Sequence, residues 1–149
     1  MPNIKLLTAD SYGNFENLYE DFRKRAAKEY NFELEPLDYD GFLDAIDKDL
    51  IKCIVLYDET NTAQAFLVYT TAISEAIELN IIHCIDKEHF LEYSKELLKK
   101  FIDVTQNLRK EKIVCYPMLG EQKSLISVIA KLGFKFVGIE VLRFKIKES

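Results

Sequence analysis

Four ionisable side chains stand in or beside the apolar runs of this sequence. Glu78 and His83 lie inside one run, His89 follows it, and Tyr116 comes immediately before Pro117. A carboxylate or an imidazole in such a place can take a proton from a substrate, and a phenol can supply one. Each also fits a plainer role. Glu78 suits a solvent-facing ion-pair partner, His83 a hydrogen-bonded core or cleft residue, His89 a surface residue, and Tyr116 a half-buried aromatic with its hydroxyl in water. His83 follows Glu78 by five residues, so in a regular strand the two face opposite sides. The two histidines and the scattered carboxylates lack the spacing of a metal site. No local Ser/His/Asp or Cys/His grouping marks a nucleophile. Cys53, Cys84 and Cys115 are widely spaced and embedded in hydrophobic runs, which suits reduced core thiols better than a disulfide framework.

Hydrophobic periodicity supplies the elements that must position these groups. Residues 77–85 form an apolar, β-branched run of strand length, too hydrophobic for a surface strand. The helix predicted after it runs to about Lys110, with Phe90, Leu91, Ser94, Leu97, Leu98, Phe101, Ile102, Thr105 and Leu108 on one side. Ligands of α/β domains gather where such a strand hands over to its helix. Here the handover reads Asp86-Lys87-Glu88-His89.

The rest of the chain follows the same logic. A short strand over 4–7 precedes a helix capped by Asn14 and carrying Phe15, Leu18, Tyr19, Phe22, Ala26 and Tyr30. A second helix carries Phe42, Leu43 and Ile46 and ends near Asp49. Strands over 51–57 and 65–70, joined by a turn over 58–62, make an antiparallel hairpin. A strand over 113–116 stops at Pro117. A helix over 121–132 stops at Gly133, and 134–146 closes the sheet with one or two strands. The 149 residues are expected to form one domain, 1–149. A net charge of −5 argues against nucleic acid and anionic membranes as partners. No apolar run approaches the ~20 residues of a membrane span and the start lacks a signal-peptide core, so a cytoplasmic location is expected.

This order of elements, β-α-α-β-β-β-α-β-α-β(β), together with the Leu132-Gly133-Phe134 step, resembles the GCN5-related N-acetyltransferase (GNAT) superfamily. The resemblance covers the whole chain in element order. It implies an α/β fold with a mixed, strongly twisted sheet, whose fourth and fifth strands splay to admit the pantetheine arm of acetyl-CoA. It further implies transfer of an acetyl group from acetyl-CoA, as co-substrate, to a small-molecule or peptide amine by direct attack. Pairing with a second copy of the chain is open. The competing reading is a GNAT-fold module that no longer catalyses and works by binding a partner or itself.

The same resemblance assigns roles. Cys84, Ile85, His89, Phe90, Leu91, Glu92, Tyr93 and Ser94 fall where the family holds the donor. Family members sometimes place a general base where Glu78 stands; His83, read from the strand alone, suits either a core or cleft residue or a proton shuttle. Aligned on Leu132-Gly133-Phe134, Gln122 and Ile129 occupy the positions of a cofactor-contacting asparagine and an acidic tyrosine. Gln122 can still donate a hydrogen bond; Ile129 cannot give up a proton, which leaves Tyr116 as the hydroxyl beside the splay. The family's glycine-rich diphosphate loop has no counterpart, because no glycine occurs between Gly41 and Gly120. Glu88 and Glu92 add negative charge there. Two like unit charges about 5 Å apart at an effective dielectric near 20 repel by roughly 3 kcal/mol, which Lys87 and Lys95 offset in part.

Overall fold

Alternation along β2 (Lys52–Tyr57) sets both faces of the sheet. Cys53, Val55 and Tyr57 join one core, Ile54 and Leu56 the other, and all five are buried. A strand covered on both faces belongs inside a sheet, and β2 does lie between β1 (Asn3–Leu6) and β3 (Ala63–Thr70). The structure, a computed structural model, describes residues 3–26, 28, 36–71, 76–108, 112–115 and 131–132. β4 (Ala76–Cys84) and β5 (Lys112–Cys115) complete a five-stranded sheet in the order β1-β2-β3-β4-β5. Neighbours are antiparallel except β4 and β5, which are parallel. A parallel pair needs a crossover, and α3 (Phe90–Thr105) supplies it.

Helices α1 (Tyr12–Arg25) and α2 (Tyr39–Asp47) cover one face. There Phe15, Leu18, Tyr19, Phe22 and Phe42 pack with Val55, Phe66 and Val68. Phe66 is the hub, meeting Phe15 and Phe22 edge-on at 5.1 and 5.5 Å between ring centres. On the other face α3 buries Phe90, Leu97, Leu98 and Phe101 against Ile54, Leu67, Ile77 and Ile82. The described order, β-α-α-β-β-β-α-β, is the one expected from the sequence. The expected final helix and closing strands lie outside the described residues, apart from 131–132.

Several local expectations are corrected. Asn14 is not a cap but sits inside α1. The chain enters α1 through a 3-10 turn, Ala9–Ser11, in which Ser11 Oγ accepts from the Thr8 N–H and donates to the Thr8 carbonyl. α2, Tyr39–Asp47, is capped by Asp38, whose carboxylate accepts from the Gly41 N–H at 2.7 Å. α3 stops at Thr105, short of Lys110. The Thr105 hydroxyl donates to the Phe101 carbonyl at 2.7 Å and competes with the helical ladder, and a 3-10 turn, Gln106–Leu108, follows. Leu91 and Leu108, expected on the inner stripe, are 46% and 43% exposed. Cys53 and Cys84 are buried free thiols; the Cys115 side chain lies outside the description.

Candidate functional site

β4 changes character at Asn80. Between Ala76 and Leu79 it pairs with β5 on one side, and its register with β3 runs on the other. Val68 then faces Ile81 while Tyr69 faces Leu79, so Asn80 is an extra residue, a β-bulge. From Asn80 to Cys84 β4 has no partner on the β5 side among the described residues. The Asn80 Oδ1 is buried and accepts no hydrogen bond. A buried acceptor left without a donor costs about 1–3 kcal/mol, so this oxygen suits a donor brought by water or a ligand.

The bulge overturns one expectation from the sequence. Ile77 and Leu79 face α3, and so do Ile82 and Cys84. The odd spacing between Leu79 and Ile82 absorbs one residue, and alternation then puts Glu78 on the same face as Ile81 and His83. Glu78 and His83 therefore share the α1 side of the sheet instead of facing apart.

His83 is fully buried. Its Nε2 lies 2.8 Å from Asp21 Oδ2 of α1, and its ring meets Phe22 edge-on at 5.4 Å. Arg25 Nη1, 3.5 Å from the same carboxylate oxygen, donates to the Cys84 carbonyl at 2.9 Å. Asp21 and Arg25 thus brace the half of β4 that, among the described residues, pairs only with β3. Glu78 is half-buried, opposite Thr70 on β3 and Val114 on β5.

The strand-to-helix handover is closed by the chain's own groups. The Ile85 N–H donates to the Gln64 carbonyl at 2.9 Å, and Cys84 Sγ donates to the Asp86 carbonyl at 3.0 Å. Asp86 is the cap of a 3-10 turn, Lys87–His89, that leads into α3. One of its oxygens accepts from the Glu88 N–H at 2.9 Å; the other pairs with His89 Nδ1 at 2.7 Å. The His89 bond, with the Glu88 N–H, holds the Asp86 carboxyl below the usual carboxylate range. The Asp86 bond in turn raises His89, helped by nearby Glu92 and Glu88. Burial pushes the Cys84 thiol up to about 11, far from thiolate chemistry at neutral pH.

The expected donor-binding residues divide by position. Cys84, Phe90 and Ser94 are buried, and the Ser94 hydroxyl has no hydrogen-bond partner. Ile85, Leu91 and Glu92 are exposed. His89 stacks on Tyr93 with ring centres 5.2 Å apart. Tyr116, Gln122 and Ile129 lie outside the described residues. Sequence reasoning missed Asp21 and Arg25, which carry no local signal, and missed that Asp86 caps the 3-10 turn ahead of α3. An aspartate just before a helical run was the available sign of that cap. Among the described residues no group of three or more His, Cys, Asp or Glu side chains could hold a metal ion, and no described helix is long and apolar enough to cross a membrane.

The Asp86 carboxylate takes an N–H of the 3-10 turn ahead of α3, and Glu88 and Glu92 add negative charge near the start of that helix.

No family model matches the sequence, and no curated protein matches it significantly. Solved structures do share the fold. A probable acetyltransferase is similar at a TM-score of 0.75 with 11% identity, covering 91% of each chain. A predicted acetyltransferase from Clostridium acetobutylicum, solved with acetyl-CoA, is similar at 0.67 with 12% identity over 92% of each chain. An acetyltransferase of the GNAT family from Staphylococcus aureus gives 0.68 with 11% identity, covering 92% of this chain and 86% of its own.

Proposed function

We propose that this chain, whose fold is that of the GNAT acetyltransferases, is itself an N-acetyltransferase that moves an acetyl group from acetyl-CoA to an amine. The observation that carries this reading is the bulge at Asn80, where, among the described residues, the pairing of β4 with β5 ends beside a buried acceptor without a hydrogen-bond partner. Acetyl-CoA supplies the activated thioester. In this reading the chain's residues do the rest. Glu78 takes the proton released as the amine nitrogen bonds to the acetyl carbon. Tyr116 gives its proton to the sulfur as the carbon–sulfur bond breaks, and Gln122 donates a hydrogen bond to the donor. His83, buried against Asp21, positions the strand. The acceptor is a small-molecule or peptide amine.

One observation favours the second reading, a non-catalytic binding module: the Asp86 carboxylate caps the 3-10 turn that leads into α3 and places negative charge ahead of that helix. Calorimetry with acetyl-CoA at millimolar concentration, alongside thiol release with a panel of amines, separates the two. Binding raises the melting temperature by mass action, and thiol release that depends on the amine supports transfer. Neither heat nor thiol release leaves the binding module.

A further inference from the structure

We propose that Asn80 Oδ1 accepts the N–H that the acyl acceptor keeps during transfer, so that the site selects primary amines over N-alkylated ones. This inference rests on the transfer reading above and deepens it, adding a specificity-determining contact and narrowing the acceptor class.

Among the described residues, Tyr57 Oη, Ser94 Oγ and Asn80 Oδ1 are buried without a hydrogen-bond partner. The two hydroxyls can turn their hydrogens and act as donor or acceptor, whereas an amide oxygen can only accept. Asn80 also follows Glu78, the base of the transfer reading, by two residues. Alternation returns the strand at Asn80 to the side of Glu78, the α1 side on which Ile81 and His83 lie beyond the bulge. Two residues of extended chain cover about 6–7 Å. A nitrogen that makes a bond of about 2.9 Å to either side spans that gap.

Hydrogen count then decides what fits. A neutral primary amine brings a lone pair and two N–H groups. As the lone pair bonds to the acetyl carbon, one proton passes from nitrogen to the Glu78 carboxylate. The carbon–sulfur bond breaks with its electron pair on sulfur, which takes the proton Tyr116 supplies in that reading. The second N–H stays on nitrogen, becomes the amide N–H of the product, and meets Asn80 Oδ1. A secondary amine gives its only N–H to Glu78 and leaves nothing for Asn80, and so does an alcohol. The thioester end cannot fill the place, because its carbonyl oxygen and sulfur only accept. A site that pairs with a substrate N–H rejects the analogue lacking it, since its own polar group is left unpaired.

The test follows thiol release by the full chain with acetyl-CoA and benzylamine, tyramine or a lysine-containing peptide, each set against its N-methyl derivative. The wild type is expected to favour an accepted primary amine at least tenfold in kcat/KM. Asn80→Leu, similar in size and without an acceptor, is expected to cut that preference at least fivefold by slowing the primary amine. Asn80→Asp keeps the oxygen and is expected to hold the preference within threefold of the wild type. A melting temperature for Asn80→Leu at or above the wild-type value checks that β4 is intact, since only an unpartnered oxygen is lost; should that variant not fold, Asn80→Ala is read the same way. A wild-type preference below tenfold, both amines slowing together in Asn80→Leu, or an equal loss of preference in Asn80→Asp overturns the inference while the transfer reading stands. If no primary amine releases thiol, the transfer reading fails and takes this inference with it.

Discussion

From Ala76 to Leu79, β4 is flanked by β3 and β5; from Ile81 to Cys84, only β3 remains among the described residues. The first half is held by ladder bonds on both edges. The second is held from the side, by the Asp21–His83 pair and by Arg25 on the Cys84 carbonyl. Polar backbone groups on a strand edge must find partners. The contrast lies in how each half is held: α1 reaches across to the half of β4 that has no β5 partner among the described residues.

The largest expected effect comes from removing the aromatic hub under that braced half. Phe66, paired in register with His83, is fully buried among Phe15, Phe22 and Phe42. Phe66→Ala is expected to cost about 3–5 kcal/mol in denaturant unfolding; a loss below about 1 kcal/mol would show that the α1 face does not support β4. Deleting Asn80 comes next. The deletion makes the alternation regular while keeping Glu78, Ile81 and His83 on one face, and it removes an unsatisfied oxygen. Stability should change little, and acetyl transfer should fall at least about hundredfold, roughly 2.7 kcal/mol. Activity kept at the wild-type level would detach the site from the bulge.

Asp21→Ala sharpens the comparison more gently. It strips a buried histidine of its carboxylate partner, an expected cost of about 1–3 kcal/mol. Amide exchange should quicken at residues 82–84 and hold steady at 77–79; equal acceleration in both halves would refute the brace. The smallest effect concerns pH. His89 is raised above its ordinary 6.5, so its share of the cap is complete below 6.5 and fades as pH climbs past the raised value. Asp86 is lowered from 3.8, so its share is complete above 3.8 and is lost as pH falls past the lowered value. The cap is therefore strongest between about 3.8 and 6.5. A His89 titration midpoint at or below 6.5, followed by NMR, would contradict the ion pair.

Much of the scaffold was legible in the sequence because burial on a whole face imposes a period. The spacing of Phe15, Leu18, Tyr19 and Phe22 and that of Phe90, Leu97, Leu98 and Phe101 mark α1 and α3 without further help. The alternation in β2 does the same for the sheet. The site was less legible. A bulge adds one residue to an already apolar run, and Asn80 leaves no periodic trace there. Asp21 and His83 lie 62 residues apart, so only the packing of α1 on β4 brings them together. Leu91 was placed inward because leucine is apolar, yet it stands one residue off the buried stripe and faces water.

The mixed direction of the sheet also orders its assembly in time. β2, β3 and β4 are consecutive antiparallel neighbours whose pairing closes short loops. Leu79 meets Cys115 only after α3 has crossed over, and Ile4 meets Leu56 across both early helices. Closing long loops costs more entropy and slows pairing. We expect pulse-labelled exchange to protect the amides of β2 and β3 before those of β5. The parallel pairing of β4 with β5 would then close last, against a meander that is already formed.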